Sequence, residues 1–203
     1  MLASRLTEVI HLPVPDDGTG KFHPDATPLL KERLGDFTSM LVGCGFGRSD
    51  GLVEFLRRLL LAEPQPALPV VIDADGLNNL SKITGWWQNR TWPAVLTPHP
   101  GEMSTLTGLP TFDIQSNRTS SALEWSSRWG AVVALKGAHT TVAGPEGICR
   151  VSPFANPAMA SGGTGDVLTG MIAGLMAQGL PAEDAAGCGV YLHGAAGEAV
   201  QEK

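Results

Sequence analysis

Residues 69–76 read PVVIDADG, an apolar run without polar alternation that ends on two carboxylates, Asp73 and Asp75. A strand apolar on both faces predicts the interior of a sheet covered on both sides, which is the habit of parallel sheets. Upstream, residues 38–42 form another compact apolar run, followed by Gly43-Cys44-Gly45-Phe46-Gly47 and a helix from about Asp50 with Leu52, Val53, Phe55, Leu56, Leu59 and Leu60 inside. Downstream, residues 93–97 give a third strand ending in Pro98-His99-Pro100-Gly101-Glu102. Residues 131–135 give a fourth, ending in Lys136-Gly137-Ala138-His139-Thr140. Every strand is followed by a polar or glycine-containing turn. In an open parallel sheet, ligands bind in the crevice outside the carboxyl ends of the strands, so the pattern predicts a site at that edge.

The rest of the chain fills in around this frame. Residues 8–14, EVIHLPV, have the alternation of a short strand, and Asp16-Asp17-Gly18-Thr19-Gly20 is a turn cluster. Pro24 to Leu34 reads as a short helix, and His11 and His23 as plain surface or edge residues. Trp86-Trp87-Gln88-Asn89-Arg90-Thr91-Trp92 reads as a helix end and loop whose tryptophans cover the core or an oligomer contact. Gln115 to Trp129 has helical periodicity. Thr141-Val142-Ala143 and Ile148-Cys149-Arg150-Val151 flank Gly144-Pro145-Glu146-Gly147, a hairpin signal. A last helix follows Pro181. The fold predicted is one α/β domain, a largely parallel sheet flanked by helices with an inserted β-hairpin.

Residues 156–178, NPAMASGGTGDVLTGMIAGLMAQ, supply the chemistry. Gly162-Gly163-Thr164-Gly165-Asp166 leads into a helix with apolar Val167, Leu168, Met171, Ile172, Leu175 and Met176. A helix start presents unpaired N–H groups and the positive end of the dipole, which stabilises a phosphate or an oxyanion without a basic side chain. Asp166 there is either a helix-capping carboxylate or a general base that takes a proton from a hydroxyl as a phosphoryl group arrives. Lys136 suits a phosphate as a point charge, Thr140 can donate a hydroxyl, and Glu102 can act through a cation such as Mg²⁺ or simply cap the helix that starts near Gly101. The glycines at 43–47 do not complete G-x-G-x-x-G, and a tight turn without a ligand explains them equally well.

Composition excludes several classes. With 203 residues and a formal net charge of −6, the chain has no basic surface for nucleic acid. Its three cysteines, Cys44, Cys149 and Cys188, lack C-x-x-C spacing, so neither a disulfide framework nor a zinc site is indicated, and no residue set qualifies as a dedicated metal site. No G-x-S-x-G elbow is present. There is no leader or membrane-length apolar run, and the cytoplasm is the expected location. No internal repeat or linker divides residues 1–203.

Leu96-Thr97-Pro98-His99-Pro100-Gly101-Glu102, Leu135 through Thr140, Asn156-Pro157, Ser161 through Leu168 and Leu192-His193-Gly194, together with Asp73 through Asn78, resemble the ADP-dependent NAD(P)H-hydrate dehydratases. These are ribokinase-like enzymes often fused to an NAD(P)H-hydrate epimerase domain. The resemblance covers residues 38–197 in order. It implies dehydration of NADHX or NADPHX at the expense of ADP, releasing AMP and phosphate, with Mg²⁺ and a homo-oligomer. It also implies that His99 and Asp166 contact the hydrate, with Asp166 catalytic, that Gly45 and Gly47 approach it, and that Lys136, Gly137, Ala138, His139, Thr140 and Gly165 bind the nucleotide. The family usually has G-P-G where this chain has Gly43-Cys44-Gly45, and Gly-Asn-Pro where it has Ala155-Asn156-Pro157. Family members also carry a strand-helix-strand region before the segment that matches Arg5 onward, and a longer last helix. The expectation is therefore a domain incomplete at its N-terminus and slightly short at its C-terminus. Two rivals stay open. One is a ribokinase-like kinase of a small alcohol of the thiazole or hydroxymethylpyrimidine type, although such kinases more often carry Asn at the position of His99. The other is a nucleotide-binding module without turnover.

Overall fold

A computed structural model describes residues 8–201. Four parallel strands, β1 (Met40–Val42), β2 (Val70–Ile72), β3 (Ala94–Leu96) and β4 (Val132–Leu135), are extended by the antiparallel pair β5 (Thr141–Ala143) and β6 (Cys149–Val151). Strand order follows chain order across the sheet. Strands consecutive in sequence are neighbours in space, so each parallel connection must cross one face and return.

The crossovers share a face. They are α2 (Asp50–Leu56, prolonged by a π-helical turn, Arg57–Leu61), α3 (Ala74–Leu80), and the succession α4 (Pro100–Thr107), α5 (Thr111–Ser116) and α6 (Arg118–Trp129). Their apolar sides meet Val70, Ile72, Leu96, Val133 and Leu135 in one core, which also holds Trp86, Trp92, Trp125 and Trp129. After the hairpin the chain passes to the other face. There α7 (Thr164–Ala177) and α8 (Ala182–Gln201) cover Val71, Val95, Val132 and Ala134 with Leu168, Ile172, Met176, Ala185 and Val190. Alternate residues of each strand thus enter different cores, and β2, β3 and β4 are buried on both faces. The tryptophans of residues 86–92 serve the core: the Trp92 indole N–H donates to the Leu60 carbonyl at 2.9 Å.

The start of the chain departs from expectation. Residues 8–14 form no strand, and Ile10 is 95% exposed. Alternating sequence stabilises a strand only where a partner lies alongside, and among the described residues of this segment the pairing is the isolated bridge between Asp16 and Phe22. The 24–34 helix is present as a 3₁₀ turn at Pro24–Ala26 followed by α1 (Thr27–Arg33). His23 caps that turn, its ring nitrogen accepting from the Asp25 amide at 3.2 Å.

One backbone contact sets how closely β1 and β2 deliver their turns. A Cβ on Gly43 would lie 1.9 Å from the Asp73 carbonyl oxygen, and Gly43 has φ +124°. A Cβ on Gly76 would lie 2.8 Å from the Gly43 Cα. The first turn of α3 therefore rests directly on the backbone after β1. Gly43→Ala must push two main chains apart, at a cost of about 3 kcal/mol or more from overpacking and strain. Gly45→Ala meets open space at φ +73° and bears only the left-handed penalty of about 1 kcal/mol. Urea unfolding of the two variants checks this; equal midpoints would contradict it.

Candidate active site

The carboxyl ends of β1 to β4 open onto one edge, and the turns that follow bring ionisable groups together there. Asp73 follows β2 and is 1% exposed. It is the N-cap residue of α3 but makes no side-chain cap bond. Its carboxylate instead accepts from Lys136 Nζ at 2.6 Å, and Lys136 is itself fixed after β4 by its amide donating to the Pro98 carbonyl. Lys136 Nζ lies 3.7 Å from Glu102 Oε2. A single ammonium thus sits between two buried carboxylates, an arrangement that tolerates burial because each charge has a partner.

Glu102 takes part in a second structure. Its Oε2 accepts from the His99 amide at 2.8 Å, while His99 Nδ1 accepts from the Gly101 and Glu102 amides at 3.0 and 3.2 Å. This reciprocal capping box starts α4. Because Nδ1 is an acceptor, the ring proton of neutral His99 belongs on Nε2, which lies 3.3 Å from Glu102 Oε1.

Gly163, at φ +92°, is the N-cap of α7 and provides no capping side chain. The Thr164 amide donates to the Ser161 carbonyl at 3.4 Å, and the Gly165 and Asp166 amides are left for an external acceptor. A Cβ on Gly165 would lie 3.4 Å from Lys136 Nζ and 3.6 Å from Asp73 Oδ2, so the helix start faces the ion pair. A cavity of about 600 Å³ adjoins it, within the range of small-molecule sites. Of the residues predicted from sequence, His99, Lys136, Gly137, Ala138, Thr140 and Gly165 line this cavity.

Asp166, Gly45, Gly47 and His139 do not line it. The Asp166 carboxylate is exposed, and it, the Asp73 carboxylate and the Cys44 sulfur lie within 4.8 Å of one another. Gly47 donates its amide to Asp75 Oδ2 at 3.1 Å, and Gly45 is open to space. His139 has φ +55°, and its Nδ1 lies 3.0 Å from the Ser152 carbonyl oxygen, so its ring is engaged with the segment after β6 rather than with the cavity. Lys136 is engaged with Asp73 and Glu102 rather than standing free as a point charge. The site accordingly comprises the cavity and, beside it through the Asp73–Lys136 pair, the exposed carboxylate of Asp166.

Sequence reasoning had not assigned Phe154, Met159 and Val190 to the cavity, nor given His193 a role in it, although all four line it. Burial pushes the His193 imidazole below the usual histidine range, against an opposing hydrogen bond with the Thr164 backbone. The only sequence trace of this wall is glycine within α8. A Cβ on Gly194 would lie within contact of the Phe154 ring, and one on Gly197 would meet Met159. The Asn156 amide nitrogen donates to the Gly197 carbonyl at 3.0 Å, tying the wall down.

This layout is that of a ribokinase-like protein, and a solved ribokinase-like superfamily protein from Enterococcus faecalis superposes with a TM-score of 0.80, at 27% identity, over 100% of this chain and 66% of that one. Within that class the chain belongs to the NAD(P)H-hydrate dehydratase family, whose model matches residues 4–203. It is 42% identical over 198 residues to the bifunctional NAD(P)H-hydrate repair enzyme Nnr of Moorella thermoacetica, covering 98% of this chain and 37% of that relative. It is also similar to the crystal structure of ADP/ATP-dependent NAD(P)H-hydrate dehydratase from Bacillus subtilis co-crystallised with ATP/Mg²⁺, with a TM-score of 0.72, 33% identity and coverage of 89% of this chain and 67% of that one. The chain thus spans a little over a third of the Moorella relative. Among the described residues no helix is long and apolar enough to cross a membrane.

Two outcomes follow from this geometry. Lys136→Met leaves Asp73 buried without its cation and costs about 3 kcal/mol, most of which Asp73→Asn in the same chain restores; thermal melts of the single and double variants measure this, and additive losses would contradict it. The Cys44 thiol is pushed up to about 11, chiefly by burial and further by Asp166, against a hydrogen bond with Thr169. Since the thiolate is the reactive form, alkylation of Cys44 is slow at pH 8 and rises about tenfold per pH unit until its pKa is reached. Exposed Cys188 serves as the internal reference by peptide mass spectrometry, and labelling of Cys44 at the same rate at pH 8 would contradict the assignment.

Proposed function

We propose that this chain carries out ADP-dependent dehydration of (6S)-NADHX and NADPHX, returning NADH and NADPH and releasing AMP and phosphate. The observation that carries the reading is the placement of Asp166 on the first turn of α7, beside the Asp73–Lys136 pair and next to Gly165, which lines the cavity. In this reading ADP occupies the cavity against Lys136, Gly137, Ala138, His139, Thr140 and Gly165. The hydrate approaches over Gly45 and Gly47, with its ring hydroxyl toward Asp166, and His99, which lines the cavity, is the contact that both ligands share.

Asp166 accepts the hydroxyl proton as that oxygen attacks the β-phosphorus of ADP, and the bond to AMP breaks. The first-turn amides of α7 hold the transferred phosphoryl group, whose charge they favour without reorganisation. The carbon–oxygen bond of the new phosphate ester then breaks with help from the ring nitrogen lone pair. Loss of a proton from the adjacent carbon restores the dihydronicotinamide and frees phosphate. Phosphorylation converts hydroxide, a poor leaving group, into a good one.

The oxygen donors of Asp73 and Asp166 fit Mg²⁺, a hard cation that keeps several waters, whereas the protonated Cys44 thiol does not join such a set. When bound, Mg²⁺ neutralises charge on the nucleotide phosphates, and Asp73 is the residue that would face it. Since the Moorella relative is named as bifunctional, an epimerase domain or partner supplying the reactive epimer belongs to the same reading.

The test is recovery of absorbance at 340 nm from NADHX with the full chain, ADP and Mg²⁺. Asp166→Asn is expected to lower kcat by about 10²- to 10⁴-fold with ADP affinity little changed. Undiminished turnover in that variant, or accumulation of a stable phosphorylated product, overturns the proposal.

A further inference from the structure

Resting on the dehydratase reading, a second anionic subsite can be located from the cations at the sheet edge. The hydrate carries a pyrophosphate besides its reacting ring, and the edge it approaches is rich in carboxylates: Asp73, Asp75, Glu102 and Asp166. Of the basic groups along this edge, Lys136 is held by Asp73. Arg118 donates to the Leu135 and Lys136 carbonyls and to Gln115. Neither is free to receive a second set of phosphates.

Lys21 and Arg48 flank the glycine turn, and neither lines the cavity. The Lys21 stem runs over Gly47, its Cε 3.4 Å and its Cδ 3.9 Å from the point that a Cβ there would occupy. Arg48 is tethered to Asp75 through Nε alone, at 2.7 Å, and its side chain is 68% exposed. Among the described residues its two terminal nitrogens have no hydrogen-bond partner. Asp75 also accepts from the Gly47 amide, so a single carboxylate fixes the guanidinium and the turn together.

The placement of Lys21 is enforced by packing. Phe22, the next residue, stacks on Phe55 of α2 with centroids 5.1 Å apart and meets Phe46 of the glycine turn at 5.0 Å. The Lys21 amide and the Thr19 hydroxyl both donate to Asp17 Oδ1. This aromatic cluster pins residues 16–22 onto the turn, and Lys21 is delivered over Gly47 as a result.

The geometry points to Lys21 and Arg48 as the cations that bind the pyrophosphate of the nicotinamide substrate and product, with Gly45, which is open to space, giving the dinucleotide close access between them and Asp166. Arg48 presents a two-nitrogen fork to phosphate oxygens and Lys21 a single ammonium. Both nicotinamide cofactors carry this group, so the subsite serves NADH and NADPH alike.

Titration of the full chain with NADH and with NADPH, followed by dihydronicotinamide fluorescence, tests this in Lys21→Gln, Arg48→Gln and the double variant. Each single change is expected to weaken both ligands about fivefold to tenfold, with a shallower dependence on salt, unchanged ADP affinity and an unchanged melting temperature. Arg48→Lys should recover part of the loss, since it keeps the charge but not the fork. Unchanged NADH binding, an equal loss for ADP, or a loss confined to NADPH, which would place the cations on its 2′-phosphate, overturns the assignment. Failure of the unaltered chain to turn over NADHX with this binding pattern intact removes the dehydratase reading and leaves the subsite standing; failure to bind NADH or NADPH removes the subsite.

Discussion

The ammonium of Lys136 held between Asp73 and Glu102 is the interaction on which the functional edge depends. It joins the ends of β2 and β4 to the start of α4, three segments far apart in sequence, and it does so beneath the first turn of α7. Two carboxylates buried this deeply are unfavourable without a cation. The pairing therefore orders the edge whether or not a ligand is bound.

Close backbone approach is the second constraint, and glycine provides it twice. Gly43 lets the turn after β1 lie against Asp73 and Gly76, which brings Cys44 toward Asp73 and Asp166. Gly194 and Gly197 let α8 accept Phe154 and Met159, which close the far wall of the cavity. The first of these approaches shapes the surroundings of Asp166 and the second shapes the cavity.

Much of this was legible in the chain itself. Buried parallel strands announce themselves as unbroken apolar runs, and the turns after them carry the polar residues because that edge is where the helices leave room. The glycine-rich entry to α7 and the hairpin at residues 141–151 were equally plain. The reading failed at residues 8–14, where alternation without a neighbouring strand left the segment extended and exposed. It was incomplete at Lys136, whose partners lie 63 residues and 34 residues away, and at His139, whose left-handed backbone turns its ring to the hairpin instead of the cavity.

The sequence by itself determined the fold class, the strands and most of the crossover helices, and the residues that gather at the sheet edge, because periodicity and turn chemistry are local properties. Only the tertiary structure decided how those residues are divided. Asp166 is grouped with Asp73 and Cys44 and does not line the cavity, Lys136 is committed to Asp73, and Phe154 and Met159 form a wall that no motif marks. The physical reason is that burial and ion pairing are set by segments meeting in space, and the spacing of residues along the chain carries no record of which of them meet.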